Sequence, residues 1–394
     1  MRKKYIIYQR VEKVDMRLDG NAAERRKKIR FQVYRQSDII NKINEAGCYM
    51  EQDLWQYLKK AEKPIVLYGM GNGADKVISA LDYFGIKYSG VFATDGFIKN
   101  KSFHGFKLSS YGALKEKFGK MIVLLCFGSG RPEVLENIRR ISAEQELYAP
   151  DVPVCGGGLF TAEYLKEHEK ELQYVYSRLA DEKSRETLSC IINYKISGKP
   201  EYLYRCEASA EEPYQSFLRL NNNESFLDIG AYNGDTVSDF LCRVSGYESI
   251  TAAEPDIKSF KKLSVRVSGL KRTKILNACV TDRCGSELFY ARGGRGSAAG
   301  NGKEIPSVTV DSITEGGKAT FIKMDIEGGE LRAIKGARRT IRRQTPKLLV
   351  ACYHRVGDLF ELPLAVDKIK SGYKLYLRHF PCVPAWDTDY YFIP

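Results

Sequence analysis

Ser225-Phe-Leu-Asp-Ile-Gly-Ala-Tyr-Asn-Gly-Asp-Thr236 is an apolar run that ends in an acid, Asp228, and then breaks into a glycine turn. A buried strand delivers a small ligand in this way. Gly230 and Gly234 let the backbone pass close to it, and a helix opening near Asp235 and Thr236 offers N–H groups that lack helical partners. Alone, the pattern also suits a dinucleotide turn or a plain connection. The residues downstream narrow the choice. Ile250-Thr-Ala-Ala-Glu254-Pro255-Asp256 reads as a second strand ending in a carboxylate, about 20 residues beyond the turn, where nucleoside-binding sheets place the acid that meets the ribose. Lys274 to Val280 reads as a third strand with Thr281 and Asp282 at its mouth. Thr320 to Asp325 reads as a fourth and runs into Ile-Glu327-Gly-Gly-Glu330, after which Leu331, Ile334 and Ala337 have helical spacing. Lys347 to Tyr353 is a fifth, ending at His354. Every acid or histidine named falls at the carboxyl end of a strand, the edge where open α/β sheets bind ligands, so the set should converge on one cleft.

From about Pro213 onward these residues resemble the FkbM-type S-adenosylmethionine-dependent methyltransferases. The most specific part is Phe321-Ile-Lys-Met-Asp-Ile-Glu-Gly-Gly-Glu-Leu-Arg-Ala-Ile-Lys-Gly336, supported by Asp228-Ile-Gly-Ala and Glu254-Pro-Asp. Gly329 stands where many members carry alanine. Tyr373 to His379 and Asp389 to Pro394 look like the two closing strands of such a sheet. The resemblance implies S-adenosylmethionine as cofactor. Its contacts would be Asp228, Gly230, Ala231, Tyr232, Gly234, Asp235, Thr236, the run Glu254, Pro255 and Asp256, then Ala278, Cys279 and Asp325. It also implies an acceptor hydroxyl on a sugar, glycan or related metabolite.

A sulfonium methyl is already activated, so transfer chiefly requires the nucleophile held in line behind it. A hydroxyl must also lose a proton. His354 is the leading candidate base, because histidine titrates near neutrality and this one should stand beside Asp325. Asp325 would orient the imidazole, bind the acceptor or approach the cofactor, and Glu327 would share these roles; a histidine after a strand also serves as a plain structural hydrogen-bonder. Asp325, Glu327 and Asp358 offer oxygens suited to magnesium, but Tyr353-His-Arg355 lacks a second carboxylate next to the fifth strand, so no metal is expected.

At 394 residues the chain should hold two domains, with 43% hydrophobic content ordinary for a globular protein. No apolar run reaches the roughly 18 residues of a membrane span, and the stretch after Met1 is too short for a secretion signal, so a cytoplasmic location is expected. Ten cysteines without a C-x-x-C argue against zinc and against a disulfide framework. The net charge of +13 is carried in clusters such as Arg338-Arg339 with Arg342-Arg343. Most such runs are solvated helix faces; contact with an anionic membrane surface stays open, and nucleic acid is disfavoured because no base-amine motif follows the fourth strand.

The first half has its own pattern. Pro64-Ile-Val-Leu-Tyr-Gly-Met-Gly-Asn-Gly73 opens a unit that resembles the Rossmann-like modules of nucleotide-sugar enzymes, with further strands ending at Asp95 and Gly128-Ser-Gly130. Gly69, Gly71 and Gly73 with Asp95 would bind a nucleotide or nucleotide-sugar, or form a turn with no ligand. The expected fold is therefore α/β with two Rossmann-like domains, the second a seven-stranded class I methyltransferase sheet closed by an antiparallel hairpin. Residues 1–62 form a helical arm, 63–150 the first module, 151–212 a helical connector that bridges the halves and covers the cleft, and 213–394 the methyltransferase domain. A glycine-rich loop, Arg292 to Lys303 with Ser297, is expected to flank the site as a flap. Competing readings are a nucleotide-sugar oxidoreductase or isomerase working from the first module, and a non-catalytic nucleoside-binding scaffold.

Overall fold

Ser225–Ile229 is buried at every position, as a parallel strand covered on both faces must be. It sits inside a seven-stranded sheet in a computed structural model that describes residues 52–94, 102–290, 298–299 and 302–394. All of these fall in one compact unit, residues 36–394.

The first sheet has four strands: β1 (Ile65–Tyr68), β2 (Gly90–Phe92), β3 (Ile122–Leu125) and β4 (Glu146–Tyr148). They are all parallel, in the order β2-β1-β3-β4. Helix α1 (Leu54–Lys60) packs Leu54, Trp55 and Leu58 into the same core as α2 (Asn72–Phe84), so the residues just before Pro64 belong to this layer. Asp53 caps α1 by accepting from the Gln56 N–H.

The large sheet comprises β5 (Ser225–Ile229), β6 (Ser249–Ala253), β7 (Thr273–Leu276), β8 (Phe321–Met324), β9 (Lys347–Ala351), β10 (Lys374–His379) and β11 (Thr388–Ile393). Their order is β10-β11-β9-β8-β5-β6-β7. Six strands point the same way, and β11 alone runs antiparallel, between β9 and β10. From β5 the chain adds strands to one side and then returns to the other, which opens a crevice beyond the carboxyl ends of β5 and β8. Phe226 fixes this centre by stacking on Phe240 and Phe321, with ring centroids 4.7 and 4.9 Å away.

Two expectations need correction. The stretch Lys274 to Val280 is not one strand: β7 ends at Leu276, and Cys279–Val280 joins a separate small sheet with Gly285–Tyr290 and Lys303–Val308. Asn277 makes the break, its side-chain amide donating to the carbonyls of Glu254 and Pro255. The connector helices do not cover the cleft but grip the closing strands. α3 (Glu182–Ser197) and its cap Asp181 hold the buried Arg378 of β10, whose guanidinium also pairs with Glu212. Lys303 begins a strand, whereas Ser297 and most of the proposed flap lie outside the described residues.

Candidate functional site

The carboxyl ends of β5, β6 and β8 surround a cavity of about 540 Å³. At its centre Gly230 has φ +84, and a Cβ there would stand 1.8 Å from the Asp325 carbonyl oxygen, so this close approach requires glycine. The N–H groups of Gly230 and Ala231 donate to the Ala253 carbonyl and tie the turn to β6. Next comes Glu254. Its Oε2 accepts from Tyr232 N–H at 2.8 Å and its Oε1 from Asp256 N–H at 2.7 Å, so backbone on both sides fixes the carboxylate at the cavity wall. Asp256 in turn caps the helix Ile257–Arg266 by accepting from Lys258 and Ser259. Burial pushes the Glu254 carboxyl up to about 7 against the opposing pull of these two N–H donors.

Asp228 behaves differently. It is fully buried, neither oxygen has a hydrogen-bond partner, and it stands beneath the cavity. Strand register sets it opposite Lys323, whose Nζ lies 3.9 Å from Asp228 and 3.7 Å from Asp325 Oδ2. Burial lifts Asp228 to about 6, against the pull of Lys323. Burial would also lower the Lys323 ammonium, but Asp325 and Asp228 outweigh it and hold the proton on. Sequence reading missed Lys323, although its alternation with Asp325 along β8 puts both near one edge.

Behind Asp325 lies a denser cluster. His354, 1% exposed, has Nδ1 3.0 Å from Glu330 Oε1, and Nε2 3.5 Å from Asp325 Oδ1 and 3.7 Å from Glu327 Oε2. The Glu330 contact is an ion pair and gives Nδ1 its nearest partner, while Nε2 makes no hydrogen bond. Burial alone would lower the imidazole; Glu330, Asp325 and Glu327 outweigh it and push it up to about 10. These carboxylates favour the protonated ring, the form that does not itself accept a proton. Glu330 reaches the cluster from the first turn of the helix Glu330–Gly336, with Oε1 also accepting from Ile326 N–H at 2.8 Å. Asp358 accepts from Arg355 N–H, and burial with Glu330 nearby raises it to about 7.

The connector backs the cluster. Cys155 donates its N–H to the His354 carbonyl at 2.9 Å and its thiol to the Glu327 carbonyl at 2.8 Å. Lys76 of α2 holds the carbonyls of Pro153 and Val154 on the far side of the same segment. The first glycine turn packs against the end of β3. The Phe127 ring lies where a Cβ on Gly69 would project, at 2.6 Å, and a Cβ on Gly73 would stand 2.2 Å from the Cys126 carbonyl oxygen. Gly71, between them, has open space. Gly128 faces Trp386, whose ring a Cβ would meet at 2.1 Å, and Ser129 bridges to Val383. Asp95 lies outside the described residues.

Of the residues expected at the cofactor, Gly230, Tyr232, Asp235, Thr236 and the run from Glu254 to Asp256 border the cavity. Ala278, Cys279, Asp325 and Glu327 do so as well. Asp228, Ala231, Gly234 and His354 are buried behind that wall. Arg355 and Asp387 complete the opposite side and were not anticipated.

A largely parallel sheet with a cavity at its switch point has the place where open α/β folds bind ligands. More specifically, residues 228–369 match the family model described as the methyltransferase FkbM domain. The fold is similar to that of methyltransferase FkbM from Methylobacillus flagellatus KT, at 20% identity and TM-score 0.66 over 90% of this chain and 98% of that one. Weaker partial likenesses, which carry no argument, include fibrillarin from Aeropyrum pernix in complex with natively bound S-adenosyl-L-methionine (11% identity, 47% of this chain and 73% of that one, TM-score 0.31). Another is an rRNA methylase from Streptococcus thermophilus (11% identity, 44% and 88%, TM-score 0.30). A comparison with curated proteins gave no match. No helix among the described residues is long and apolar enough to cross a membrane.

Proposed function

We propose that the chain is an S-adenosylmethionine-dependent O-methyltransferase acting on a hydroxyl of a sugar, glycan or related metabolite. The observation that carries this is Glu254, an acid held by two backbone N–H groups at the end of the second strand and facing the cavity beside the Gly230 turn. That arrangement suits a ribose diol, whose two hydroxyls donate to one carboxylate. When bound, the cofactor supplies a methyl group on a cationic sulfonium, and its transfer to an acceptor oxygen leaves a neutral thioether. Asp325 and Glu327 give the cavity the negative charge that suits a sulfonium, and Lys323 keeps Asp325 in place. Asp325, 35% exposed at the rim, takes the acceptor proton in this reading, and His354 serves to position it. The sugar hydroxyl as acceptor is supported by the resemblance of the motif alone.

We assign the loop at Gly128 and Ser129 to docking on the closing strands, because Trp386 occupies the space beside Gly128 and Ser129 bridges to Val383, whereas the turn at Gly69 and Gly73 packs within its own module against Phe127 and Cys126. The functional division at 63–150, 151–212 and 213–394 remains part of this proposal. Calorimetric titration with S-adenosylmethionine, followed by transfer of labelled methyl into a panel of sugars and glycan fragments, tests it. Saturable cofactor binding with label in an ether linkage is expected; a folded chain that binds no cofactor overturns it.

A further inference from the structure

We infer that Asp325, Glu330 and His354 form a binding site for one divalent transition-metal cation in the wall of the cavity. This deepens the methyl-transfer reading and rests on it for the acceptor's place, though not for the binding of the cation itself.

One oxygen of Asp325, one of Glu330 and one ring nitrogen of His354 lie within 4.8 Å of one another. Two donors bound about 2.1 Å from a common ion stand roughly 3 Å apart at right angles and about 4.2 Å apart when opposed. The three side chains would have to draw together to bond one ion, because Glu330 now faces Nδ1 and Asp325 faces Nε2. The second observation is independent of this spacing. His354 and Glu330 are each 1% exposed, yet His354 Nε2 and Glu330 Oε2 lack a hydrogen-bond partner, and Nδ1 has only its ion pair with Glu330. Buried polar atoms are rarely left in that state. Charge points the same way: Asp325, Glu327 and Glu330 converge on the ring, and Asp358 lies close behind. A single proton on the ring offsets one carboxylate, whereas a divalent cation offsets two.

The cluster is accessible. Lys323 engages Asp325 through Oδ2, which leaves Oδ1 facing the histidine, and Asp325 and Glu327 both line the cavity. One imidazole among carboxylates suits Mn2+ or Zn2+ better than calcium or magnesium. A cation there would hold the acceptor oxygen and favour loss of its proton, the task the ring itself is poorly placed to do. No second carboxylate stands next to the fifth strand, but the fold supplies one, Glu330, from the helix that follows the fourth.

The test uses the full chain, stripped with chelator and titrated with Mn2+ by electron paramagnetic resonance and equilibrium dialysis. Saturable uptake of one Mn2+ per chain is expected, weakened roughly tenfold or more in Asp325→Asn and in Glu330→Gln. Circular dichroism melting identifies any variant that fails to fold, and Asp325→Asn, at the rim, is the variant expected to keep its structure. Absence of uptake by the folded parent chain, or uptake unchanged in both folded variants, overturns the inference. Cofactor titration separates the two claims: cofactor binding without Mn2+ uptake removes only the cation site, and Mn2+ uptake without cofactor binding removes only the methyl-transfer reading.

Discussion

Glu254→Gln alters the charge and one acceptor of a side chain whose surroundings are otherwise unchanged, and two opposing effects can be worked out. The carboxylate accepts from Tyr232 and Asp256 N–H at 2.8 and 2.7 Å, and a glutamine keeps one oxygen but turns an NH2 toward the other donor. Leaving that buried N–H unpaired costs about 1–3 kcal/mol. Against this, burial has raised Glu254 from 4.5 to about 7. Its contribution to stability is therefore fully present below the unfolded value of 4.5, and is lost as pH rises through about 7. Above that pH the loss approaches about 3 kcal/mol at 1.36 kcal/mol per unit, and the amide escapes it. Thermal unfolding of the cofactor-free variant should thus be lower than the parent's at pH 5 and close to it at pH 8. Cofactor affinity responds in one direction only. Loss of a charged hydrogen bond to a ribose hydroxyl, about 1.5–3 kcal/mol, weakens binding roughly 10- to 140-fold above pH 7. Because only the ionised carboxylate accepts from both hydroxyls, the parent's affinity should climb with pH up to about 7, and the variant's should not. Calorimetric titrations at pH 6, 7 and 8 measure this. Equal affinity and equal pH dependence in the two proteins would refute the role of Glu254.

Gly230→Ala should abolish cofactor binding, since its Cβ would stand 1.8 Å from the Asp325 carbonyl oxygen at a φ of +84; retained calorimetric affinity would show that the turn relaxes. Lys323→Met strands Asp228 without its counter-charge and should lower stability by about 3–5 kcal/mol in urea unfolding, with Asp228→Asn in the same chain restoring much of it. Arg378→Ala removes the cation shared by Asp181 and Glu212 and should cost about 3 kcal/mol by the same assay, without changing cofactor affinity in the chain that remains folded. Gly128→Val drives a side chain into the Trp386 ring and should lower the melting temperature and open the segment 151–158 to limited proteolysis.

The strand ends were legible because buried parallel strands read as unbroken apolar runs, and an acid that interrupts such a run marks where the sheet stops: Glu254 and Asp325 were found this way and both reach the cavity. Asp228 obeys the same pattern, but strand register turns it toward Lys323 under the floor, and a single strand carries no record of its neighbour's register. Glu330 was read only as part of a helical start. That its carboxylate folds back to His354 depends on the tight Glu327-Gly328 turn, where φ is +52 and +90, a tertiary matter. Asn277 was invisible because one residue of a strand-like run chose two carbonyls of the preceding loop over the ladder. The first glycine turn shows the converse: the motif is legible, but what presses against it, the Phe127 ring and the Cys126 carbonyl, comes from the end of β3, while the loop bearing Trp386 meets the neighbouring Gly128.

That last contact bears on where the catalytic unit ends. Trp386 rests on Gly128, and the next residue, Asp387, forms part of the cavity wall. An excised fragment limited to residues 228–369 would lack this wall and also the upstream layer that braces it. The pocket is thus a shared construction, and whatever shifts the upstream layer also reshapes the chamber where chemistry is proposed to occur.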